Sequence, residues 1–519
     1  MEFTDKKETK DKMAIIGNII KAFIDLKGTI TAESNPVEEQ KNALNNLLDK
    51  AKDTAFGKHY NFQEILNNEN PLEKFAQTIP YHDYETMKDK WWNKVIDGQH
   101  DITWPGVPDY FALSSGTTGK ESKRIPVTDA MVDAIRHAGI NQVFALKNFD
   151  LPADFFEKEI LMLGSSTDLI EKDEHLEGEI SGISASNIPE WFSGYYKPGE
   201  EIAKIDDWDK RVKKIAEKAK DWDIGALSGI PSWIELMLEA VIKYHNLDTI
   251  HDIWPNLRVF TSGGVAFGPY EKSFNKLLGK PILVLDTYLA SEGFLAFQER
   301  PDTKAMKLIT DSGIYFEFVP FKPEYINQDG SIVSDAPSLT IADVELNQDY
   351  ILIISTVSGA WRYLIGDTIA FTNIEKAEII ITGRTKFFLN TVGSQLSVNK
   401  LNSAIKHVEE KLDVSITEYT ICAKRYGEDF YHSWYLGSDQ MDTDNDKIAE
   451  LIDAYLSEAN KNYSVARSKA LAGVKVNVVS PKVFHEWSNA NKKKGGQVKM
   501  ERVMSEDKFE EWETFVKNN

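Results

Sequence analysis

The stretch from Tyr110 to Thr128, YFALSSGTTGKESKRIPVT, determines how the rest of the chain is interpreted. It begins with apolar residues that suit a short strand and continues with serines, threonines and glycines. Small hydroxyl residues and glycines let several backbone N–H groups converge on one point, and such concave backbone binds anions. The cations at its end can pair with phosphate oxygens. The stretch therefore predicts a nucleotide-phosphate loop, with Ser114, Ser115, Gly116, Thr117, Thr118 and Lys123 as candidate binding residues.

Two other interpretations of this stretch compete with that prediction. Runs of serine, threonine and glycine are common in ordinary surface loops, so the composition alone does not separate the two cases. The P-loop of nucleotide triphosphatases requires G-x-x-x-x-G-K-[ST], in which the last hydroxyl binds magnesium. Here Gly116 and Gly119 are too close together, and Glu121 stands where that hydroxyl should be. The stretch is therefore a candidate phosphate loop of another class.

Length and charge restrict the class of protein. The chain has 519 residues, which is enough for a large core and more than one domain. Its formal net charge is -21 at pH 7. A nucleic-acid-binding protein needs a basic face, so we expect no nucleic-acid partner. A polyphosphate also needs a locally positive pocket in such a chain, which makes the cations beside the Ser/Gly run more informative.

The single cysteine and the first residues bear on the cellular compartment. Cys422 can form no intrachain disulfide, and its apolar neighbours YTICAK are typical of a strand rather than of a nucleophile. The first residues, MEFTDKKETKDKMAIIGNIIKAF, carry charges of both signs and predict an amphipathic helix over 13–26. This pattern is neither that of a signal peptide nor that of a membrane span. We expect a cytoplasmic protein without stable membrane association.

Strands and helices are predicted to alternate from Asp129 to Phe297. The runs ILMLGS and LRVFTSGG suit buried strands, and helices are predicted over 129–148 and after Pro231. A further helix is predicted upstream, over 37–56. Alternation of this kind favours α/β layers around a largely parallel sheet, in which ligands bind at the carboxyl ends of the strands. After Phe297 the pattern is β-rich and predicts an antiparallel subdomain or a small barrel.

A domain boundary is predicted within EIIITGRTKFFLNTVGSQLSV, near residues 383–386. It gives an N-terminal domain over 1–384 and a small C-terminal lobe over 385–519. Helices over 399–411 and 447–460 between strands make that lobe α+β. Its last part contains the polar loop NKKKGGQVKMERV. The predicted fold class is thus α/β, or α+β when the whole chain is considered.

Two candidate ligand-binding segments follow predicted strands. In Tyr288-Leu289-Ala290-Ser291-Glu292, the aromatic face can cover a purine ring and the carboxylate can bind magnesium. In Thr261-Ser262-Gly263-Gly264, the glycines allow close approach of the backbone to a ligand. Taken singly, the first also fits a core tyrosine beside a surface glutamate, and the second fits an ordinary strand-to-helix turn.

Three later segments carry candidate polar groups. Asp367, at the end of Arg362-Tyr363-Leu364-Ile365-Gly366-Asp367, can accept hydrogen bonds from both ribose hydroxyls. Arg384, in Gly383-Arg384-Thr385-Lys386, can reach ribose or phosphate. Lys499, in Gly496-Gln497-Val498-Lys499, lies close to further lysines at 492–494. Each segment also has an interpretation without a functional role. These are, in the same order, a Gly-Asp turn, a β-turn with exposed cations and a run of solvated charged residues.

Together and in this order, the segments resemble the adenylate-forming superfamily, the group of firefly luciferase and the acyl-CoA synthetases. SSGTTGKESKRIP is most similar to the loop of the acyl-acid amido synthetase family, that of the plant auxin-responsive and jasmonate-conjugating enzymes and their bacterial relatives. The resemblance covers nearly the whole chain. The family motif Tyr-Arg-x-Gly-Asp has Leu364 in place of its arginine here, although Arg362 stands just before it. Any role of that arginine is therefore in doubt.

The resemblance implies ATP as cosubstrate, Mg²⁺ as metal ion and a mobile C-terminal lobe. It implies that Tyr288 and the 262–264 turn border adenine, that Ser291 completes the motif, and that Asp367 and Arg384 contact the nucleotide. By the same analogy Glu292 contacts magnesium or the phosphates. Lys499 would reach the acyl carboxylate and the α-phosphate during adenylation. The implied catalytic residues are thus Lys499 and Glu292, and the implied metal ligand is Glu292.

The activity implied is that of an ATP-dependent acyl-acid amido synthetase. Such an enzyme adenylates a carboxylic acid, releases pyrophosphate and transfers the acyl group to an amino acid. One alternative keeps the adenylation and uses coenzyme A or another thiol as acceptor. Another is a catalytically silent nucleotide-binding homologue, to which Leu364 gives some weight. We expect small-molecule acid and amino-acid partners, and a monomer or weak homodimer.

Overall fold

The computed structural model describes most of the chain. The described residues are 35–114, 122–172, 174–189, 192–264, 267–327, 331–385, 396, 398–426, 429–440, 444–459, 463–464, 467, 471–490, 500–504 and 506–518. The helix predicted over 13–26 lies outside them. No helix within these ranges is long and apolar enough to cross a bilayer.

The described helices are spread over the whole chain. They are Pro36–Ala51, Ala55–His59, Phe62–Leu66, Pro71–Thr78, Tyr84–Met87, Asn93–Ile96, Asp129–Ala145, Ile180–Ser186, Glu200–Ala203, Trp208–Lys218, Pro231–His245, Glu271–Asn275, Val398–Leu412, Asn445–Ala459, Pro481–Ala490 and Glu506–Asn518, with a π-helical turn at Lys88–Trp92.

The strands form three sheets. In chain order they are β1 Tyr110–Ser114, β2 Lys123–Val127, β3 Glu159–Leu163, β4 Ile170–Glu171, β5 Leu176–Gly178, β6 Tyr196–Lys197, β7 Ile224–Gly229, β8 Val259–Gly263, β9 Leu283–Ala290, β10 Gly293–Phe297, β11 Met306–Leu308, β12 Ile314–Pro320, β13 Asp349–Thr356, β14 Tyr363–Asn373, β15 Glu378–Arg384, β16 Glu418–Tyr426, β17 Asp429–Gly437 and β18 Leu471–Val479.

The largest sheet has eleven strands in the order β12-β13-β14-β15-β11-β10-β9-β8-β7-β3-β6. The strands from β6 to β9 are parallel, and those from β9 to β12 are antiparallel. The mixed α/β class predicted from the sequence is confirmed. The alternating strand–helix pattern before Phe297 and the β-rich pattern after it belong to one continuous sheet. Side-chain periodicity cannot reveal this continuity, because it does not say which strands pair.

Capping side chains mark where several of the helices begin. The hydroxyl of Thr128 accepts a hydrogen bond from the Met131 N–H at 3.2 Å, and Asp129–Ala145 begins there. The helix predicted over 37–56 is divided, because Thr54 caps a second helix by accepting from the Gly57 N–H at 3.0 Å. Crossover helices such as Pro231–His245 bury their apolar faces on the parallel strands.

The C-terminal part is α+β, as predicted. Strands β16, β17 and β18 form a three-stranded sheet in that order. The sequence analysis assigned only a polar loop to the last part of the chain, whereas the structure adds the helices Pro481–Ala490 and Glu506–Asn518. The second helix buries Phe509 and Trp512 beside Cys422, so this cysteine is a core residue.

A buried ion pair joins the N-terminal helices to the antiparallel half of the large sheet. Arg362 Nε lies 3.0 Å from Glu317 Oε1, and both side chains are almost completely buried. Arg362 Nη1 also donates to the carbonyl oxygens of Ala76 and Ile79, at 2.7 and 2.6 Å. The guanidinium lies over the Tyr81 ring, 4.1 Å from its centroid. These contacts fix the end of helix Pro71–Thr78 to the sheet.

We predict that Arg362→Met destabilises the fold strongly. Removing one partner leaves Glu317 charged and buried, which costs about 3–5 kcal/mol in the free energy of unfolding. Urea unfolding followed by tryptophan fluorescence measures this loss. The matched control is Lys204→Ala, which removes a solvent-exposed ion pair with Glu200 and should leave the unfolding midpoint unchanged. Equal effects of the two substitutions would contradict a structural role for Arg362.

Candidate functional site

Three of the predicted nucleotide-binding residues come together at the seam, the place where β9 meets β14 and β15, although β14 and β15 are not its neighbours in the large sheet. Tyr288 lies near the end of β9, Asp367 lies in β14, and Arg384 ends β15. Asp367 and Arg384 are paired in register, and Arg384 Nε donates to Asp367 Oδ1 at 2.6 Å. The Tyr288 hydroxyl donates to the other oxygen, Asp367 Oδ2. Residues far apart in sequence thus share one hydrogen-bonded cluster.

Burial and charge determine the protonation of this cluster. Tyr288 is 6% exposed, and burial, followed by the negative charge of Asp367, raises the pKa of its phenol well above the usual value. The phenol therefore keeps its proton and acts as a donor. The carboxylate of Asp367 raises the pKa of Arg384, which stays charged. A carboxylate has about four lone-pair positions, so Asp367 can accept further hydrogen bonds beside these two.

Glu292 lies in the turn between β9 and β10 and is only 7% exposed. Burial raises the pKa of its carboxyl, whereas the nearby charge of Lys123 lowers it. Asp367 repels the same carboxylate and Arg384 attracts it. Burial, followed by the negative charge of Glu292, raises the pKa of the phenol of Tyr363, which lies at the start of β14. The Glu292 turn therefore interacts electrostatically with β2, β14 and β15, and Ser291 occupies the same turn, half-buried.

The turn after β8 lies one strand away from Tyr288. Ser262 and Gly263 are paired in register with Asp286 and Thr287 of β9. A Cβ atom on Gly263 would come within 2.9 Å of Thr287 Oγ1, so a larger residue there would have to displace this hydroxyl from the Ser262 carbonyl oxygen. Gly264 has φ +80, in the left-handed region that favours glycine. Ser262 Oγ is buried and has no hydrogen-bond partner in the described part of the chain.

The predicted phosphate loop is described only at its two ends. Ser114 ends β1 and is paired in register with Lys123, the first residue of β2. The ammonium group of Lys123 lies over the ring of Tyr84, 5.2 Å from its centroid. The loop residues Ser115, Gly116, Thr117 and Thr118, and the C-terminal residue Lys499, lie outside the described residues. Their predicted roles stay predictions.

The described residues contain no group of three or more His, Cys, Asp or Glu side chains arranged to hold a metal ion. Mg²⁺ in nucleotide sites is commonly held by one or two carboxylates together with substrate phosphates, and it keeps several waters. A buried, single carboxylate such as Glu292, close to the Lys123 end of the predicted loop, fits this mode of binding. The residues present are therefore compatible with magnesium bound jointly with ATP.

Three family models match consecutive parts of the chain. They are described as the GH3 family N-terminal domain, over residues 26–216, the GH3 family central domain, over 307–382, and the GH3 family C-terminal domain, over 399–508. Together they cover more than two thirds of the chain, in the order of the family. The chain belongs to the GH3 family.

Curated GH3 relatives align with about half of the chain. Indole-3-acetic acid-amido synthetase GH3.8 of Oryza sativa subsp. indica is 24% identical over 270 residues, 48% of this chain and 44% of the relative. Indole-3-acetic acid-amido synthetase GH3.4 of Arabidopsis thaliana is 25% identical over 273 residues, 49% of this chain and 45% of the relative. The aligned region thus spans less than half the length of each of these relatives.

Solved structures reproduce the GH3 fold over nearly the whole chain. The GH3.15 acyl acid amido synthetase matches with a TM-score of 0.77 at 16% identity and covers 96% of both chains. A 2-hydroxyisobutyryl-CoA ligase in the postadenylation state matches with a TM-score of 0.55 at 13% identity, over 92% of this chain and 91% of the other. These likenesses show that the chain shares the fold of these two proteins.

Arg362 does not take the place of the motif arginine that Leu364 replaces in this chain. That side chain points to Glu317 and the end of helix Pro71–Thr78, and its backbone adopts φ +43. Leu364 packs into an apolar cluster with Val319 and Ile353. The nearest guanidinium of the cluster at the seam is therefore that of Arg384, which comes from the neighbouring strand.

The sequence analysis missed two contributors to this region. Tyr363 was recognised as part of a motif but not as a partner of Glu292, because a contact between β14 and the β9–β10 turn depends on the sheet order. Tyr84 accepts a hydrogen bond from the Arg124 N–H at 2.9 Å and lies against Lys123. It comes from an N-terminal helix that has no recognisable motif, so no sequence signal indicated it.

We predict that Glu292→Gln stabilises the ligand-free protein at neutral pH. Because the folded-state pKa of Glu292 is raised, the folded protein binds more protons than the unfolded chain between the usual and the raised pKa. Stability is therefore lost as the pH rises through that interval, and Gln removes the loss. Thermal unfolding at several pH values measures this, and the gain should shrink as the pH falls.

A gain that is independent of pH would contradict the assignment of this effect to Glu292. Glu299→Gln provides the control, because Glu299 is partly exposed and pairs with Lys307, which is partly exposed as well. The same Glu292→Gln variant should gain less stability from added magnesium and ATP than the wild-type protein, because the carboxylate oxygen that fits magnesium is gone.

Proposed function

We propose that the chain is an ATP-dependent acyl-acid amido synthetase. It would activate a carboxylic acid as an acyl-adenylate with release of pyrophosphate, and would then transfer the acyl group to the amine of an amino acid. The observation that carries the proposal is the convergence of Tyr288, Asp367, Arg384 and Glu292 at one seam of the sheet. Membership of the GH3 family and the names of its curated relatives support the same reaction.

The chemistry requires the activation that adenylation provides. A carboxylate is a poor acylating agent because its oxide is a poor leaving group, whereas the AMP of a mixed anhydride leaves readily. Attack of a carboxylate on the α-phosphate brings two anions together. Preorganised positive charge is therefore expected to provide much of the rate enhancement. In a molecule with a net charge of -21, this charge has to be supplied locally.

The described residues divide the tasks of binding among them. Asp367, held by Tyr288 and Arg384, would accept hydrogen bonds from the ribose hydroxyls. Tyr288 and the Ser262–Gly264 turn would border the adenine ring, and Lys123, with Ser114 and the loop residues, would bind phosphate. When bound, magnesium would neutralise phosphate charge, and Glu292 would hold it.

The C-terminal lobe would complete the site. We propose a division into an adenylation domain over 1–384 and a mobile lobe over 385–519, with Lys499 contributed by the lobe during adenylation. Lobe closure would exclude water, which would otherwise hydrolyse the acyl-adenylate. We further propose that the protein acts in the cytoplasm as a monomer or weak homodimer. The single cysteine, which can form no intrachain disulfide, agrees with a reducing compartment.

The experiment that tests the proposed function is a pyrophosphate-release screen of carboxylic acids crossed with amino acids. Aromatic and aliphatic acids form the first panel, since a GH3.15 acyl acid amido synthetase is known in complex with 2,4-DB. We expect turnover that requires both an acid and an amino acid, with an amide as product. Turnover that requires coenzyme A would show that the acyl acceptor is a thiol rather than an amino acid. Failure of every acid to support ATP–pyrophosphate exchange would favour a catalytically silent homologue.

We predict that Lys499→Ala slows adenylation by about 10²- to 10³-fold, because it removes one positive charge from the transition state. Carboxylate-dependent ATP–pyrophosphate exchange measures this step. Lys494→Ala is the matched control, since it lies in the same lysine-rich stretch and should change the exchange rate little. If both variants behaved alike, the assignment of Lys499 would be wrong and a general effect of the charge run would explain the loss.

A further inference from the structure

Tyr270 connects the two parts of the chain on either side of the proposed domain boundary. Its hydroxyl donates to Glu418 Oε1 at 3.0 Å. Tyr270 ends the short helical turn Gly268–Tyr270 and belongs to the core of the parallel half of the sheet. Glu418 is the first residue of β16 in the C-terminal sheet. A polar contact thus extends from a rigid core to the first strand of the other lobe.

The second oxygen of Glu418 continues the contact within the C-terminal lobe. Arg502 Nη1 lies 2.7 Å from Glu418 Oε2, and both side chains are largely buried. The Arg502 guanidinium lies over the ring of Tyr419, 4.6 Å from its centroid, and donates to the Tyr419 carbonyl oxygen at 3.1 Å. Burial raises the pKa of the Tyr270 phenol, which is therefore protonated and able to donate.

Arg502 belongs to a segment that is fixed along β16. The Ile421 N–H donates to the Arg502 carbonyl oxygen, and the Met504 N–H donates to the Ile421 carbonyl oxygen, both at 2.9 Å. The Thr420 hydroxyl donates to the Glu501 carbonyl oxygen at 2.8 Å. This segment, 500–504, follows Lys499 directly in the sequence. The position of Glu418 relative to Tyr270 therefore sets where this segment lies relative to the N-terminal domain.

On the N-terminal side, Tyr270 follows closely on the Ser262–Gly264 turn proposed to border adenine. A second contact between the two parts of the chain, Lys272 to Asp413, is 3.7 Å long and has both side chains more than half exposed. Exposed pairs of this kind contribute little. Of these two contacts, the buried one through Tyr270 is better suited to define an orientation.

We propose that Tyr270 is a positioning residue, whose hydrogen bond to Glu418 holds the C-terminal lobe in the orientation used for the adenylation half-reaction. The inference rests on the proposed function. It assigns no contact with substrate to Tyr270. The bond connects the core beside the proposed adenine turn, through Glu418 and Arg502, to the segment that follows Lys499.

The kinetic test separates the two half-reactions. Tyr270→Phe keeps the ring in the core and removes only the donor, so ATP–pyrophosphate exchange should fall about tenfold, the effect of losing one hydrogen bond to a charged acceptor. Aminolysis of preformed acyl-adenylate should be unchanged. Lys272→Met is the matched control and should alter neither rate. A purely structural role would lower both half-reactions together, and that result would overturn the proposal.

A double-mutant cycle tests whether Tyr270 acts through Glu418. Tyr270→Phe and Glu418→Ala should not be additive in the exchange rate, because each removes the same hydrogen bond. Additive losses would overturn the proposed connection. Thermal unfolding of each variant controls for loss of folded protein.

The orientation itself can be measured without any activity. Cys422 is the one cysteine of the chain and is buried, so spin labels can be directed to exposed positions by Tyr244→Cys and Glu410→Cys. We expect one narrow distance distribution, which Tyr270→Phe broadens and Lys272→Met does not. An unchanged distribution in Tyr270→Phe would overturn the proposal. Absence of exchange in the wild-type protein would instead refute the proposed function, and the distances would still decide the role of Tyr270.

Discussion

The candidate site depends on one buried carboxylate, that of Asp367, which accepts a hydrogen bond on each of its oxygens. Arg384 occupies one oxygen and Tyr288 the other. A buried carboxylate is expensive unless it is paired and hydrogen-bonded, and this pair of donors meets both conditions. Because β14 and β15 are in register at this point, the cross-strand pair is held by the sheet itself. The carboxylate therefore has a fixed position before any ligand binds.

Strand β9 gives this carboxylate its surroundings. It pairs in parallel with β8 on one edge and antiparallel with β10 on the other. Parallel strands have their carboxyl ends at one edge of the sheet, where ligands bind in α/β proteins. The antiparallel partner returns the chain through a tight turn, which places Glu292 at that same edge. Strand β9 thus connects the ligand-binding edge of the parallel strands to the polar turn that carries Glu292. The sheet changes from parallel to antiparallel pairing at this same strand.

The sequence predicted the elements of this arrangement better than their contacts. Helices such as Pro231–His245 and strands such as β8 and β16 have clear periodicity and end at capping or turn residues. The motif positions Tyr288 and Asp367 could be recognised by resemblance. The partner of Glu292, Tyr363, could not be inferred, because the order of β9, β14 and β15 in the sheet is a long-range property.

Arg362 shows that a position beside a motif in the sequence does not determine what a side chain contacts. It stands within the motif segment, and its sequence position suggested a replacement for the missing family arginine. Its contacts with Glu317 and with the carbonyl oxygens at the end of an N-terminal helix use its guanidinium for stability instead. A buried guanidinium with several fixed acceptors has little freedom to serve a ligand as well. The positive charge available to the cluster at the seam consequently comes from other strands, namely from Lys123 of β2 and Arg384 of β15.

The balance of charge at the seam agrees with the anionic, metal-bound ligand of the proposed function. Glu292 and Asp367 repel each other, and burial already raises the pKa of Glu292. Lys123 and Arg384 oppose that repulsion in the ligand-free protein. A nucleotide phosphate would compete for these cations and would increase the repulsion unless a divalent cation entered with it. The proposed ligand, the metal complex of a nucleotide, suits this arrangement better than a free nucleotide would, because its metal ion offsets the negative charge of both the carboxylates and the phosphates.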